Sequence, residues 1–313
     1  MRASLPVAVC CLLGLAAATV ERDLMVQARR LVVRADNYSS PVLNPRQTLP
    51  TPSNRLANRP GPQLRILCAG DSITAGTFSD LDGGDGNGYR LRLRDDLSAD
   101  RVIFTGTEAA PNGTMNDGVF AAWPGKTIKF ITDNIGPSLK QRPNLVLLHA
   151  GTNDMNPNPA ISTEGNDPTE AAKRLGVLVD RIVDACPDAV VLVAMIIPTC
   201  DQAQAPATRE FQRQIPDMVR QRSGVGKRVL ATNITSFPTD QLRDCIHPTN
   251  DGYRLLGDYW SDFAAQVPDD WLHDPVQVSL DEASPSSSLG APWPSVWRVA
   301  AAIMVGSGIM TVM

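Results

Sequence analysis

Apolar residues along this chain fall into two kinds of pattern. Short, nearly unbroken runs recur at 64–69, 101–105, 145–149, 190–197 and 228–231, each stopped within a few residues by Gly, Pro or Asn. Runs that brief and that continuous read as strands buried on both faces. Between them the pattern changes period. Ala171, Leu175, Leu178, Val179 and Ile182 recur at helical spacing within 168–185, and looser helical patterns cover 89–97, 206–222 and 252–266. Strands alternating with helices over roughly 200 residues predict one α/β domain around a mainly parallel sheet. Right-handed crossovers then place helices on both faces of that sheet. No repeat of 20–50 residues is present.

The periodic part spans 64–272, and the flanks read differently. Arg2, an apolar stretch from Leu5 to Leu15 and Ala16-Ala17-Ala18 have the order of a secretory signal peptide over 1–18. Residues 19–63 are rich in Pro, Arg and Asn and predict a flexible lead-in, with a short helix at 23–33 as the one candidate element. A Ser- and Pro-rich linker covers 273–298, and a hydrophobic tail runs over 299–313. Small residues, a spacer and such a tail fit a GPI-anchor signal. A tail anchor and a hydrophobic end docked on the domain are the other readings of that segment.

Composition narrows the partners. The chain of 313 residues carries a formal net charge of -4, so no overall basic field favours nucleic acid. Three Asn-X-Ser/Thr sequons, at Asn37, Asn112 and Asn233, accord with a secretory route. Outside the leader the cysteines are Cys68, Cys186, Cys200 and Cys245, an even number that predicts disulfides in an oxidising compartment. Cys200 follows the fourth strand and Cys245 lies two residues before His247, which makes Cys200–Cys245 the preferred bridge. Cys68, inside the first strand, also reads as a buried thiol. No cysteine or histidine spacing matches a metal site, and no cofactor is expected.

The candidate chemistry sits where strands end. Gly70-Asp71-Ser72-Ile73-Thr74 closes the first strand and can open a helix, which exposes the Ser72 hydroxyl at the carboxyl edge of the sheet. Taken alone, Asp71 or Ser72 reads equally well as a helix cap. The third strand runs into Ala150-Gly151-Thr152-Asn153-Asp154, and Asp244-Cys245-Ile246-His247-Pro248 follows far downstream. An Asp three residues before a His on one loop can hold the ring nitrogen that faces away from a serine. The other nitrogen is then left to take the serine proton. His149 reads as a satisfied core histidine, His273 as solvated, and Asp71 and Asp154 as residues fixing turn backbone. The segment 80–86 has the composition of a calcium loop, but Gly84 occupies a ligand position. It reads instead as a mobile lip beside Ser72.

In this order and at these strand ends, GDSIT, GTND and D-x-x-H resemble the SGNH (GDSL-type) hydrolase superfamily. The resemblance implies a flavodoxin-like three-layer α/β/α sandwich with a mainly parallel five-stranded sheet. It implies Ser72 as nucleophile, His247 as base, Asp244 as its orienter, and Ser72 and Asn153 as oxyanion-hole donors. The family's further glycine is best matched by Gly125 in Trp123-Pro124-Gly125, with Gly118 competing, because relatives often carry another Gly where this chain has Ala121-Ala122. Gly88-Tyr89-Arg90, the Trp-Pro-Gly element and Asp244–Pro248 look most like fungal carbohydrate esterases of family 3. The implied substrate is a small ester or an acetylated polysaccharide; Trp123 reads equally as a groove residue or as a buried aromatic. A lipase or general short-chain esterase is the alternative activity. A catalytically inactive surface binding protein of the same fold is the alternative class.

Overall fold

The computed structural model describes residues 41–46, 62–97 and 101–277. The leader, most of the lead-in with Asn37 and the segment 23–33, most of the linker and the hydrophobic tail lie outside them. The chain divides after Val278, so its second unit falls wholly outside the described residues.

The five apolar runs form β2 (Leu64–Gly70), β3 (Val102–Thr105), β5 (Leu145–His149), β6 (Val190–Ala194) and β7 (Val229–Thr232). Two strands of two residues each join them: β1 (Val42–Leu43) and β4 (Ala121–Ala122). The order is β1-β7-β6-β5-β2-β3, with every pairing parallel. The sheet therefore has seven strands rather than the expected five, and the five longer ones keep the flavodoxin-like order. β1 comes from the lead-in and pairs Val42 with Ala231 at the sheet edge. β4 shares an edge of β2 with β3. β3 pairs with Leu64–Leu67, and β4 continues on Ala69 and Gly70.

Successive side chains of a strand point to opposite faces, and the two cores follow that alternation. Ile66, Cys68, Leu147 and Leu192 pack under α2 (Arg90–Leu97) and α7 (Asn250–Ala264), with Tyr89, Tyr253, Trp260 and Phe263. Leu67, Val146, Leu148 and Val191 pack instead under α3 (Ile128–Asn134), α5 (Pro168–Ala185) and α6 (Ala205–Ser223). Helix, sheet, helix is the resulting layering, with α2 against α7 on one face and α5 against α6 on the other. Among the described residues no helix is long and apolar enough to cross a membrane.

Two short helices escape the hydropathy pattern: α1 (Ser72–Ala75) and α4 (Gly136–Leu139). α3, seven residues long, escapes it too. From β2 the chain crosses to β3 on one side and then to β5 on the other, so the carboxyl ends of β2 and β5 flank the switch point of the sheet. Crevices at such points are where open α/β sheets bind ligands.

Candidate active site

Ser72 is the first residue of α1, immediately beyond β2. Asp71 caps that helix, its Oδ1 accepting from Ile73 N at 3.1 Å. Its other oxygen, Oδ2, is buried without a hydrogen-bond partner. Burial pushes the Asp71 carboxyl up to about 6, against the pull of the Ile73 N–H. The capping expected of Asp71 is thus present, on a carboxyl whose ionisation is costly.

The Ser72 hydroxyl reaches His247 Nε2 at 2.9 Å, and His247 Nδ1 reaches Asp244 Oδ2 at 2.8 Å. The second Asp244 oxygen accepts from the backbone N–H groups of Ile246 (3.1 Å) and His247 (2.7 Å). Burial acts to raise the Asp244 carboxyl, but His247 and these two N–H groups outweigh it and hold it at about 2. An ionised carboxylate only accepts, so Nδ1 carries a proton. In the neutral ring Nε2 is then the acceptor for the Ser72 hydroxyl. Three residues separated by 175 positions of sequence form one hydrogen-bonded chain in the predicted order.

Gly125 and Asn153 meet at the same edge. β4 ends beside Gly70, and Trp123 N donates back to Gly70 O at 3.1 Å. The chain then turns at 123–126, closed by Lys126 N donating to Trp123 O at 3.2 Å. Pro124 leads that turn and Gly125 has φ +74°, a left-handed conformation that glycine adopts without strain. Asn153 Nδ2 donates to Lys126 O at 2.9 Å, so the side-chain amide and the turn are fixed to one another. The carbonyl of Gly118, the competing glycine, accepts from Arg90 Nε at 3.1 Å.

The remaining sequence candidates separate by burial. Asp154 is buried and structural; Oδ2 accepts from Ile128 N at 2.9 Å and Oδ1 takes Arg174 at 3.0 Å. His149 is buried as expected but only half satisfied, with Nε2 accepting from Ile197 N at 3.1 Å and Nδ1 unpartnered. Burial lowers its pKa to about 4, so it is a neutral ring. Trp123 is half-buried and meets Phe130 edge-on at 5.9 Å between centroids. Cys200 and Cys245 form the anticipated disulfide, whereas Cys68 and Cys186 are free and buried. Asn112 Nδ2 donates to Asp80, and Asn233 Nδ2 to Asn44 Oδ1 at 2.9 Å. His273 is exposed.

Other neighbours of the site carry no motif. Phe78 meets the His247 ring edge-on at 5.1 Å. The 80–86 segment, read from the sequence as a mobile lip, is tied to the loop that carries His247 and to the start of α7: Arg243 pairs with Asp82 at 2.7 Å, and Asn250 Nδ2 donates to Leu81 O at 2.8 Å. Arg90, which follows Gly88-Tyr89 in sequence, is a fully buried cation beneath α1. It donates to the carbonyls of Thr74 (2.5 Å), Ala75 (3.3 Å) and Gly118 and lies 4.3 Å from the centre of the Phe120 ring.

Residues 68–255 match the model of the GDSL-like lipase/acylhydrolase family, a span that contains every residue of the hydrogen-bonded chain. No curated protein matches the chain in sequence. Among solved structures, a carbohydrate esterase family 3 protein from Talaromyces cellulolyticus is 21% identical, with a TM-score of 0.53 over 65% of this chain and 97% of that one. A family 3 carbohydrate esterase from Clostridium thermocellum is 23% identical, with a TM-score of 0.52 over 66% of this chain and 99% of its own. Likeness at this level of identity is a likeness of fold.

Proposed function

Because the chain belongs to the GDSL-like lipase/acylhydrolase family and is a carboxylic ester hydrolase of that kind, we propose that it is a secreted serine esterase whose nucleophile is Ser72. The hydrogen-bonded chain from Ser72 through His247 to Asp244 carries this reading. Ser72 Oγ attacks the ester carbonyl carbon while His247 Nε2 takes its proton, and the Asp244 carboxylate faces the resulting imidazolium. The oxyanion is held by the Ser72 and Gly125 N–H groups and the second N–H of the Asn153 amide. Losing one such donor typically raises the barrier by about 2.7–4 kcal/mol. His247 then protonates the leaving alcohol. Water, activated by the same nitrogen, releases the acid and restores Ser72.

For the substrate, we propose short acyl groups, acetyl foremost, on carbohydrate. The resemblance of the blocks at 88–90, 123–125 and 244–248 supports this, as does a fold shared with proteins named carbohydrate esterases. Secretion is supported by the leader-like first 18 residues and by a disulfide on a half-exposed loop. A hydrolysis panel of short-chain esters, long-chain esters and acetylated xylan, with Ser72→Ala as control, tests the proposal. Hydrolysis of acetyl esters and acetylated xylan that vanishes in Ser72→Ala is the expected result. Preference for long chains overturns the carbohydrate reading, and parent-level turnover by Ser72→Ala overturns the nucleophile.

A further inference from the structure

Four non-glycine residues among those described have a left-handed backbone: Phe78 (φ +68°), Asp82 (+52°), Arg142 (+53°) and Cys245 (+67°). Three of the four lie on or against the loop that carries His247. Phe78 packs on the imidazole, Asp82 pairs with Arg243, and Cys245 stands between Asp244 and His247 themselves. Residues with a Cβ avoid this region, and such strain persists only where the surroundings hold it in place.

The geometry points to the Cys200–Cys245 disulfide as a positioning element of the esterase site, keeping Cys245 left-handed so that Asp244 and His247 stay aimed at Ser72. This rests on the esterase reading above. The segment Asp244-Cys245-Ile246-His247 folds around its own carboxylate, with Asp244 Oδ1 accepting from Ile246 N and His247 N. That wrap requires the chain to reverse at Cys245. What holds the reversal comes from the segment after β6: the bridge to Cys200, Thr199 Oγ1 donating to Cys245 O at 2.7 Å, and Cys200 N donating to the same carbonyl at 3.3 Å. With the bridge opened, Cys245 is free to relax to negative φ. The carboxylate then loses its N–H groups and the imidazole leaves the serine. Both cysteines are thus positioning residues that act through His247.

Both bridge residues are half-exposed, whereas the free thiols Cys68 and Cys186 are buried. A dithiol reagent can therefore reach the bridge, which is the one disulfide among the described residues. One of its thiolates attacks a bridge sulfur and releases the other cysteine as a thiolate. Its second sulfur then displaces the remaining cysteine, so the reagent ends as a disulfide and Cys200 and Cys245 as thiols.

A cross-link over 45 residues also stabilises the fold at large, and the test must separate that effect from positioning. The variants are Cys200→Ala/Cys245→Ala and Cys200→Ala/Cys245→Gly, assayed on an acetyl ester well below their melting temperatures. Both lack the bridge, but only glycine takes a left-handed conformation freely. The expected outcome is a fall in kcat of about tenfold or more for the first, with KM changed less than about twofold, and recovery of most of that kcat in the second, as befits relief of backbone strain. Dithiothreitol added to the folded parent should lower kcat in step with the appearance of the bridge's two thiols, with unchanged circular dichroism, which gives the same answer without a substitution. Full kcat in the folded Ala/Ala variant or the reduced parent overturns the inference. An oxidised parent that hydrolyses no ester is a different failure, seen before any cysteine is changed, and it overturns the esterase reading together with this one.

Discussion

Two aspartates at the site are pushed in opposite directions, and each makes its own prediction. Asp244, at about 2, stays ionised through the acid range and keeps the Nδ1 proton of His247 facing away from Ser72. Asp244→Asn preserves size but offers an amide that can donate as well as accept. It should lower kcat by about 10²–10⁴-fold with little change in KM, read from steady-state kinetics on an acetyl ester. Asp71 is the reverse case, a buried carboxyl raised from 3.8 to about 6. Between those two values the folded protein holds a proton that the unfolded chain has released, so stability falls as pH rises from 4 to 6. The full cost on ionisation is on the order of 3 kcal/mol. Asp71→Asn keeps the cap acceptor without the charge. Its unfolding free energy relative to the parent should therefore improve between pH 4 and pH 7, measured by urea denaturation. A difference that does not change with pH contradicts the assignment.

At the scale of elements, α1 is too short to hold itself and depends on what lies beneath it. Arg90 spreads its donors over the carbonyls of Thr74, Ala75 and Gly118, tying the end of α1 to the segment leading into β4. Arg90→Lys keeps the charge but cannot span three acceptors. Leaving two buried carbonyls unpaired should cost on the order of 2–4 kcal/mol in urea unfolding; an unchanged midpoint contradicts that role. The same scale shows what the residues could and could not announce. The helix at Pro168–Ala185 was legible to its ends because its signals are local: Asp167 as cap, Pro168 in the first turn and an apolar stripe at helical spacing. α3 was not, since its first N–H is capped by Asp154, 26 residues away, and its own Thr127 makes no cap bond. β1 and β4, at two residues each, are too short to show any period and exist only through their partners.

Over the whole molecule, the alternation of β2 sends Ile66 to one core and Leu67 to the other, with the sheet between them. Ile66→Val and Ile182→Val act in separate cores. Each should cost about 0.5–1.5 kcal/mol, and together their sum to within about 0.5 kcal/mol in urea unfolding. Coupling well beyond that would contradict two independent cores. Topology also explains which parts of the site could be read in advance. Ser72, Asn153 and the Asp244–His247 pair follow strand ends that hydropathy locates, and the parallel order brings those ends together. Gly125 was nominated from its Trp-Pro-Gly block and is carried toward Gly70 by β4, whereas Phe78 and the Asp82–Arg243 tie depend on loop conformations that no periodicity encodes. The central claim, that Ser72 is the reacting atom of this fold, is tested most directly by treating the folded protein with a fluorophosphonate and locating the adduct by peptide mass spectrometry. The account predicts one adduct, on Ser72, with esterase activity lost in proportion and no labelling of Ser72→Ala. An active protein that stays unmodified, or is labelled at another residue, would contradict it.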